Sequence, residues 1–157
     1  MKLEPQNYIL ATIHRAENTD RQQRLTAIFE AFQQIAKTIP VVMPLHPRTQ
    51  KFLHDYQLEI LTQNLTLIDP VGYLEMVQLE KNARLIVTDS GGIQKEAYFY
   101  QVPCLTLREE TEWTELVDLG WNQLVSSFES EALVKSIQAK LTHPHPQKVS
   151  ASPYGQG

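Results

Sequence analysis

Short hydrophobic runs alternate along the chain with segments in which apolar residues recur every three or four positions. The run at residues 8–14 is nearly continuous in β-branched and aromatic residues, which is typical of a strand buried on both faces. Apolar residues between Leu25 and Ala36 then repeat at helical spacing until Pro40, which predicts an amphipathic helix. The same alternation predicts strands at residues 41–44, 65–68, 85–88, 104–107 and 123–125, and helices at 49–56, 73–80, 92–100, 112–119 and 130–141.

Strands that alternate with helices in this way form βαβ units with right-handed crossovers. The sequence therefore predicts an α/β fold, a three-layer α/β/α domain of Rossmann-like type with a parallel sheet. Its 157 residues fit one domain on the usual scale of roughly 100–200 residues. Residues 142–157 lack apolar periodicity and are rich in Pro, Ser, Gly and Gln, so we expect them to form a loosely ordered tail.

Composition and charge argue against several classes of protein. Lys and Arg number 14 against 18 Asp and Glu, and no basic face is apparent, which disfavours a nucleic-acid partner. No segment reaches the ~18 consecutive apolar residues needed to cross a bilayer, and the chain does not start with a signal peptide. We therefore expect no membrane partner and a cytoplasmic location. The single Cys104 fits a reducing compartment and excludes a multi-cysteine metal site.

Polar residues follow the carboxyl ends of the predicted strands, which is the edge where open α/β sheets bind ligands. His46 has two interpretations, a cationic ligand contact or the residue before a helix that starts at Pro47. Arg108 can contact an anion or pair locally with Glu112. The candidate ligand contacts at this edge are His14, Arg15, Glu17, Asn18, His46 and Arg108.

The segment Asp89-Ser90-Gly91-Gly92 leaves a buried strand and enters a helix. Its amides are therefore among the unpaired donors of a first helical turn, at the positive end of the helix dipole. Two glycines allow an anion to approach the backbone closely, and the Ser90 hydroxyl adds a donor, so a phosphate or diphosphate is the ligand that this chemistry favours. The alternative is a tight turn in which Ser90 only caps the helix.

Glu96 follows four residues after Gly92, on the same helical face as the turn. Its carboxylate can accept two hydrogen bonds from a vicinal diol such as a ribose. The alternative is a solvated surface residue. His14 and Arg15 form a second donor pair that suits phosphate oxygens, although Glu17 could instead neutralise Arg15. The histidines show no ligand spacing, so we expect no metal, and no cofactor is indicated.

Several of these blocks together resemble the carboxyl-terminal half of the non-hydrolysing UDP-N-acetylglucosamine 2-epimerases, from about Tyr8 to the last residue. The blocks that carry the resemblance are His14-Arg-Ala-Glu-Asn18, Asp69-Pro-Val-Gly-Tyr-Leu74, Thr88-Asp-Ser-Gly-Gly-Ile-Gln-Lys-Glu-Ala97, Pro103 to Trp113, Gly120 and Pro153-Tyr-Gly155.

The resemblance implies one half of a GT-B-like protein that binds UDP-N-acetylglucosamine between two Rossmann-like domains. The family interconverts that sugar nucleotide with UDP-N-acetylmannosamine by eliminating and re-adding UDP, without metal or nicotinamide. It implies that Ser90 and Gly91, beside Gly92, hold the diphosphate and that Glu96 holds the ribose. His14 is implied on the phosphate side of the sugar and the backbone near Met76 at the uracil.

The family's acids and bases lie in an amino-terminal half that this sequence lacks, so we expect the chain to be inactive alone. That half is then an expected partner, and the full-length family members are expected to be homodimers. Ala16 also stands where many members have a second Arg. Two alternatives remain: the donor-binding domain of a GT-B glycosyltransferase, and a stand-alone module that binds a UDP-sugar without chemistry.

Overall fold

Six parallel strands form the centre of the computed structural model, which describes residues 4–108, 122–125 and 127–142. The strands are β1 (Ile9–Thr12), β2 (Val41–Pro44), β3 (Thr66–Ile68), β4 (Leu85–Thr88), β5 (Cys104–Thr106) and β6 (Asn122–Leu124). Their order across the sheet is β3-β2-β1-β4-β5-β6, so the chain starts in the middle and winds outward in both directions. The predicted Rossmann-like parallel sheet is confirmed.

Helices cover both faces of the sheet. They are α1 (Ala16–Thr19), α2 (Gln22–Ile35), α3 (Pro47–Asp55), α4 (Tyr73–Asn82), α5 (Gly91–Phe99) and α6 (Ser130–Thr142), with a 3₁₀ turn at Glu59–Thr62. Side chains alternate between the faces along each strand. On β1, Ile9 and Ala11 join a core with α2 and α6, whereas Leu10 joins a smaller core with α4 and α5.

The central strands are mostly hydrophobic because both of their faces are covered. All four residues of β1, β2 and β4 are buried. Helix α2 places Phe29 and Phe32 against this sheet, each at most 1% exposed. Burial of side chains of this size contributes about 1.5–3 kcal/mol each. The result is a rigid sheet whose carboxyl edge holds the loops in place.

Several element ends are shifted by one to three residues from their predicted positions. The one-turn helix α1 at residues 16–19 and the 3₁₀ turn at Glu59–Thr62 were not predicted. Thr142, predicted as the first tail residue, ends α6. The predicted helix at 112–119 and the rest of the predicted tail lie outside the described residues. Within the described part of the chain, no helix is long and apolar enough to span a bilayer.

Candidate functional site

The strand order reverses between β1 and β4, so the loops after these two strands diverge and leave a crevice at the carboxyl edge. The two strands are paired from Ile9 with Leu85 to Thr12 with Thr88. The hydroxyls of Thr12 and Thr88 are hydrogen-bonded, and the Thr88 hydroxyl also accepts from the amide of Ser90 at 3.0 Å. This fixes the two loops relative to one another.

Asp89 joins the loops after β1 and β4. Its carboxylate is fully buried and accepts from the amides of His14 at 3.1 Å and Arg15 at 2.9 Å. The side-chain amide of Asn18 donates to the same carboxylate at 2.9 Å. Charge-assisted hydrogen bonds of this kind are about twice as strong as neutral ones. Asp89 therefore holds the β1 loop over the start of α5.

Helix α5 begins at the crevice with two glycines. Ser90 is the cap, and its hydroxyl accepts from the amide of Ile93 at 3.4 Å, which is long for a hydrogen bond and holds the hydroxyl weakly. Gly91 is buried, whereas Gly92 is exposed and a Cβ added there would meet nothing within 4 Å. The helix start therefore presents the amide of the exposed Gly92, with open space around it, to a ligand.

Two histidines and an arginine lie beside this helix start. The His14 ring stacks on the His46 ring at 5.5 Å between centroids, and His14 Nε2 lies 3.7 Å from an oxygen of Asp89. In the described part of the chain, the half-buried Arg15 guanidinium has no ion-pair partner. His46 also caps α3, where its Nδ1 accepts from the amide of Arg48. His46 thus directly precedes α3, as its second interpretation has it, and the use of Nδ1 as an acceptor does not fit a cationic imidazole, in which both ring nitrogens are donors.

Three predicted contact residues make hydrogen bonds within the protein. Glu17 pairs with Arg108, with 3.1 Å between its oxygen and Nε, and not with Arg15. Glu112, the other partner considered for Arg108, lies outside the described residues. Asn18 is fully buried: its amide donates to Asp89 and to the carbonyl of Leu107, and its oxygen accepts from Arg24. Asn18 thus supports the site from within, which differs from the ligand contact predicted for it.

A second group of residues lies where α4 and α5 pack together. Glu96 is half-buried on α5, and one of its oxygens accepts from the hydroxyl of Tyr73 at 3.4 Å. Tyr73 is the first residue of α4 and is 70% exposed. Met76, one turn further along α4, is partly buried against the smaller core. This places a carboxylate, a phenol and a thioether at the same helix–helix junction.

Glu80 lies on α4, which packs against the helix α5 that carries Glu96. The residue is 1% exposed. Burial above all, then the charge of Glu96 and hydrogen bonding to that side chain, together raise its pKa to about 8. In the described structure neither Glu80 oxygen has a hydrogen bond of ordinary geometry. The side chain is therefore largely protonated at neutral pH.

The sequence analysis did not identify the roles of Tyr73 and Glu80, or that of Asp89 in joining the two loops. Asp89 could have been found, because an acidic residue between a buried strand and a capping Ser is well placed to accept from neighbouring amides. Glu80 gave a weaker signal, a charged residue on the apolar side of a helix. Tyr73 had none, since a first-turn aromatic residue is usually a packing residue.

A separate cavity of about 640 Å³ lies along α4 and is lined by Tyr8, Ile68, Pro70, Glu75 and Leu79, among others. It does not include the loops after β1 and β4. Among the residues that the structure describes, no group of three or more His, Cys, Asp or Glu could hold a metal ion. The crevice between β1 and β4 is therefore the site that the sheet topology and the polar groups both indicate.

The strand order defines the chain as a Rossmann-like domain, with the crevice at its switch point as the candidate ligand site. The family pattern of UDP-N-acetylglucosamine 2-epimerase matches residues 1–157. The chain therefore belongs to that family, and the resemblance seen in its motifs is confirmed.

Individual relatives agree with this assignment. A UDP-N-acetylglucosamine 2-epimerase homolog of Methanococcus maripaludis is 52% identical, over 85% of this chain and 38% of its own length. A UDP-2,3-diacetamido-2,3-dideoxy-D-glucuronate 2-epimerase of Pseudomonas aeruginosa is 50% identical, over 85% of this chain and 37% of its own.

The crystal structure of Methanocaldococcus jannaschii UDP-GlcNAc 2-epimerase in complex with UDP-GlcNAc and UDP superposes with a TM-score of 0.81 at 43% identity. The match covers 87% of this chain and 39% of that structure's chain. The chain thus spans about two fifths of the length of the proteins that it matches.

Proposed function

We propose that this chain is the UDP-binding half of a UDP-N-acetylglucosamine 2-epimerase. The observation that carries the proposal is the open, glycine-containing start of α5 at the switch point, with the Glu96 carboxylate further along the same helix. An anion site followed by a diol acceptor fits the diphosphate and the ribose of a nucleoside diphosphate. The complexes of relatives with UDP-GlcNAc and UDP support this choice of ligand.

Within this proposal each group has a stated task. The amides of Gly91 and Gly92 and the Ser90 hydroxyl bind the diphosphate, and Arg15 adds its guanidinium. His14, stacked on His46, lies on the side of the phosphate that faces the sugar. Glu96 accepts from the ribose hydroxyls, and the backbone near Met76 lies at the uracil. Asp89 and Asn18 hold these loops without touching the ligand.

The epimerisation itself is proposed to need a second half that supplies acids and bases to the sugar. In the family reaction, the bond from the anomeric carbon to UDP breaks and C2 loses its proton, which gives UDP and a 2-acetamidoglucal. Re-addition of UDP and return of the proton to the other face of C2 then give the epimer. This chain contributes the groups that bind UDP throughout. We place it in the cytoplasm, within a homodimeric full-length protein.

A second candidate concerns the sugar. The relative from Pseudomonas aeruginosa, named for UDP-2,3-diacetamido-2,3-dideoxy-D-glucuronate, is 50% identical to this chain. The uridine and diphosphate of the two substrates are the same, so the groups described above suit both. Product analysis of the complete enzyme with each UDP-sugar separates the two candidates.

Calorimetric titration of UDP into the chain tests the proposed binding. We expect saturable binding of one UDP, and a loss of about 1–3 kcal/mol of binding free energy in Ser90→Ala and in Glu96→Gln. Glu75→Gln is the matched control for Glu96, because Glu75 is an exposed glutamate on the neighbouring helix. Absence of binding, or equal affinities in all four proteins, contradicts the proposal.

Gly92→Ala separates a functional glycine from a structural one. Space for the new methyl group is open, and Ala is a better helix former than Gly by up to about 1 kcal/mol. We therefore expect thermal stability to be unchanged or higher, while pyrophosphate and UDP affinity fall because the methyl group meets the ligand. Gly72→Ala, also with open space but at the start of α4, is the control for pyrophosphate binding. Unchanged affinity in Gly92→Ala contradicts close approach of the anion.

A further inference from the structure

Glu80 is a buried acid on α4, next to the helix α5 that carries Glu96. It lies in the last turn of α4, 1% exposed, with both side-chain oxygens outside ordinary hydrogen-bond geometry. Glu96 lies on α5, which packs against α4, and its charge is one of the causes that raise the pKa of Glu80. Two ionised carboxylates in such a place repel one another strongly, so the pair is stable only when it holds a proton.

Other titratable groups surround the pair. Tyr100, at the end of α5, has its pKa raised by burial first and then by the charges of Tyr73, Glu96 and Glu80. The Lys81 ammonium lies 5.2 Å from the Tyr100 ring centre, on the ring and not on the carboxyl pair. Tyr73 donates to Glu96 from the solvent side. In the described structure no cationic side chain pairs with Glu80. A proton is therefore the group that relieves the repulsion between the two carboxylates.

We propose that protonated Glu80 is a positioning residue for Glu96, and that it makes the recognition of ribose by this site sensitive to pH. This inference rests on the proposed function, since it assigns the ribose to Glu96. In this inference the proton on Glu80 provides the hydrogen bond to the Glu96 carboxylate that two ionised carboxylates cannot make, while Tyr73 donates to Oε2 of Glu96. Glu96 is thereby oriented, with acceptor capacity left for the two ribose hydroxyls.

The direction of the pH effect follows from which form binds. Below the pKa of Glu80, which burial and Glu96 raise to about 8, the proton is present and Glu96 is held in place. Above it, two negative charges face each other and Glu96 loses its fixed orientation. Ribose binding is therefore favoured at neutral pH and weakened as the pH rises through this range. Diphosphate binding at α5 is unaffected, because it does not involve Glu96.

The test compares UDP with 2′,3′-dideoxy-UDP at about pH 7 and about pH 9. The two ligands share the base and the diphosphate, so their affinity ratio reports the ribose hydroxyls alone. We expect UDP to bind about tenfold more tightly than the dideoxy ligand at neutral pH, and the preference to shrink to about twofold or less at the higher pH. Glu80→Gln keeps a neutral donor at every pH, so its ratio should not change with pH. Glu75→Gln should behave as the unmodified chain.

Each outcome decides the matter. A wild-type ratio that is constant with pH, or an equal pH dependence in Glu80→Gln, overturns the inference while UDP binding itself still supports the proposed function. If neither nucleotide binds, both the proposed function and the assignment of the ribose to Glu96 are wrong.

A measurement without ligand tests the pairing separately. Carboxyl ¹³C NMR titration should show a lower pKa for Glu80 in Glu96→Gln, because a negative charge has been removed. If Glu80 had only a structural role, its replacement by Gln would lower the affinity for both nucleotides equally and leave their affinity ratio unchanged.

Discussion

Asp89→Ala is expected to lower the free energy of unfolding by about 3–5 kcal/mol. The substitution removes a buried acceptor and leaves the amides of His14 and Arg15 and the side chain of Asn18 without a partner. Asp89 and Asn18 are fully buried, so the Asn18 amide in particular does not recover its solvation. Chemical denaturation followed by circular dichroism measures the change.

Two variants make this prediction specific. Asp89→Asn keeps the shape of the side chain but places an amide group against hydrogen-bond donors. We expect it to lower the free energy of unfolding by about 2–3 kcal/mol. Asp69→Ala is the matched control, because Asp69 also directly follows a strand but is exposed. Its effect should lie within about 0.5 kcal/mol. If Asp89→Ala were as mild as Asp69→Ala, Asp89 would not hold the loops together.

The order of strands and helices was predictable because each element carries its own pattern. The buried strand at residues 85–88 is a continuous apolar run, and its bounds are the same in the structure. Prolines and capping residues likewise marked helix starts, such as Pro47 at the start of α3. The helix start at Ser90 and Gly91 could be located for the same reason. That it opens into the crevice follows from β1 and β4 being neighbours, which the doubly wound topology implies.

The supporting contacts could not be predicted, because they join residues far apart in sequence. Asn18 and Asp89 are 71 positions apart, and their hydrogen bond depends on the pairing of β1 with β4. Glu17 has basic neighbours in its own loop, yet it pairs with Arg108 after β5. Local spacing therefore predicts which groups face a ligand, whereas the groups that hold them in place depend on packing. The ligand contacts themselves remain predictions until UDP is titrated.

The stability of the chain is expected to fall as the pH rises from about 5 to about 8, by about 3–5 kcal/mol from Glu80 alone. The ordinary value of 4.5 applies to the unfolded chain, whereas burial and Glu96 raise the pKa of Glu80 to about 8 in the folded one. Between these values the folded state binds a proton that the unfolded state has released. Linkage then requires stability to decrease by up to about 1.4 kcal/mol per pH unit, and to level off above the folded pKa.

Comparison with Glu80→Gln isolates this contribution from those of all other titrating groups. The variant cannot ionise at this position, so its stability curve should not contain the decline, and the gap between the two proteins should widen with rising pH. Glu75→Gln changes an exposed residue on the same helix and should follow the unmodified chain within about 0.5 kcal/mol. Parallel curves for Glu80→Gln and the unmodified chain would mean that Glu80 ionises as readily when folded as when unfolded. The carboxyl pair would then place no electrostatic constraint on Glu96, and the orientation of that carboxylate would have to come from Tyr73 alone.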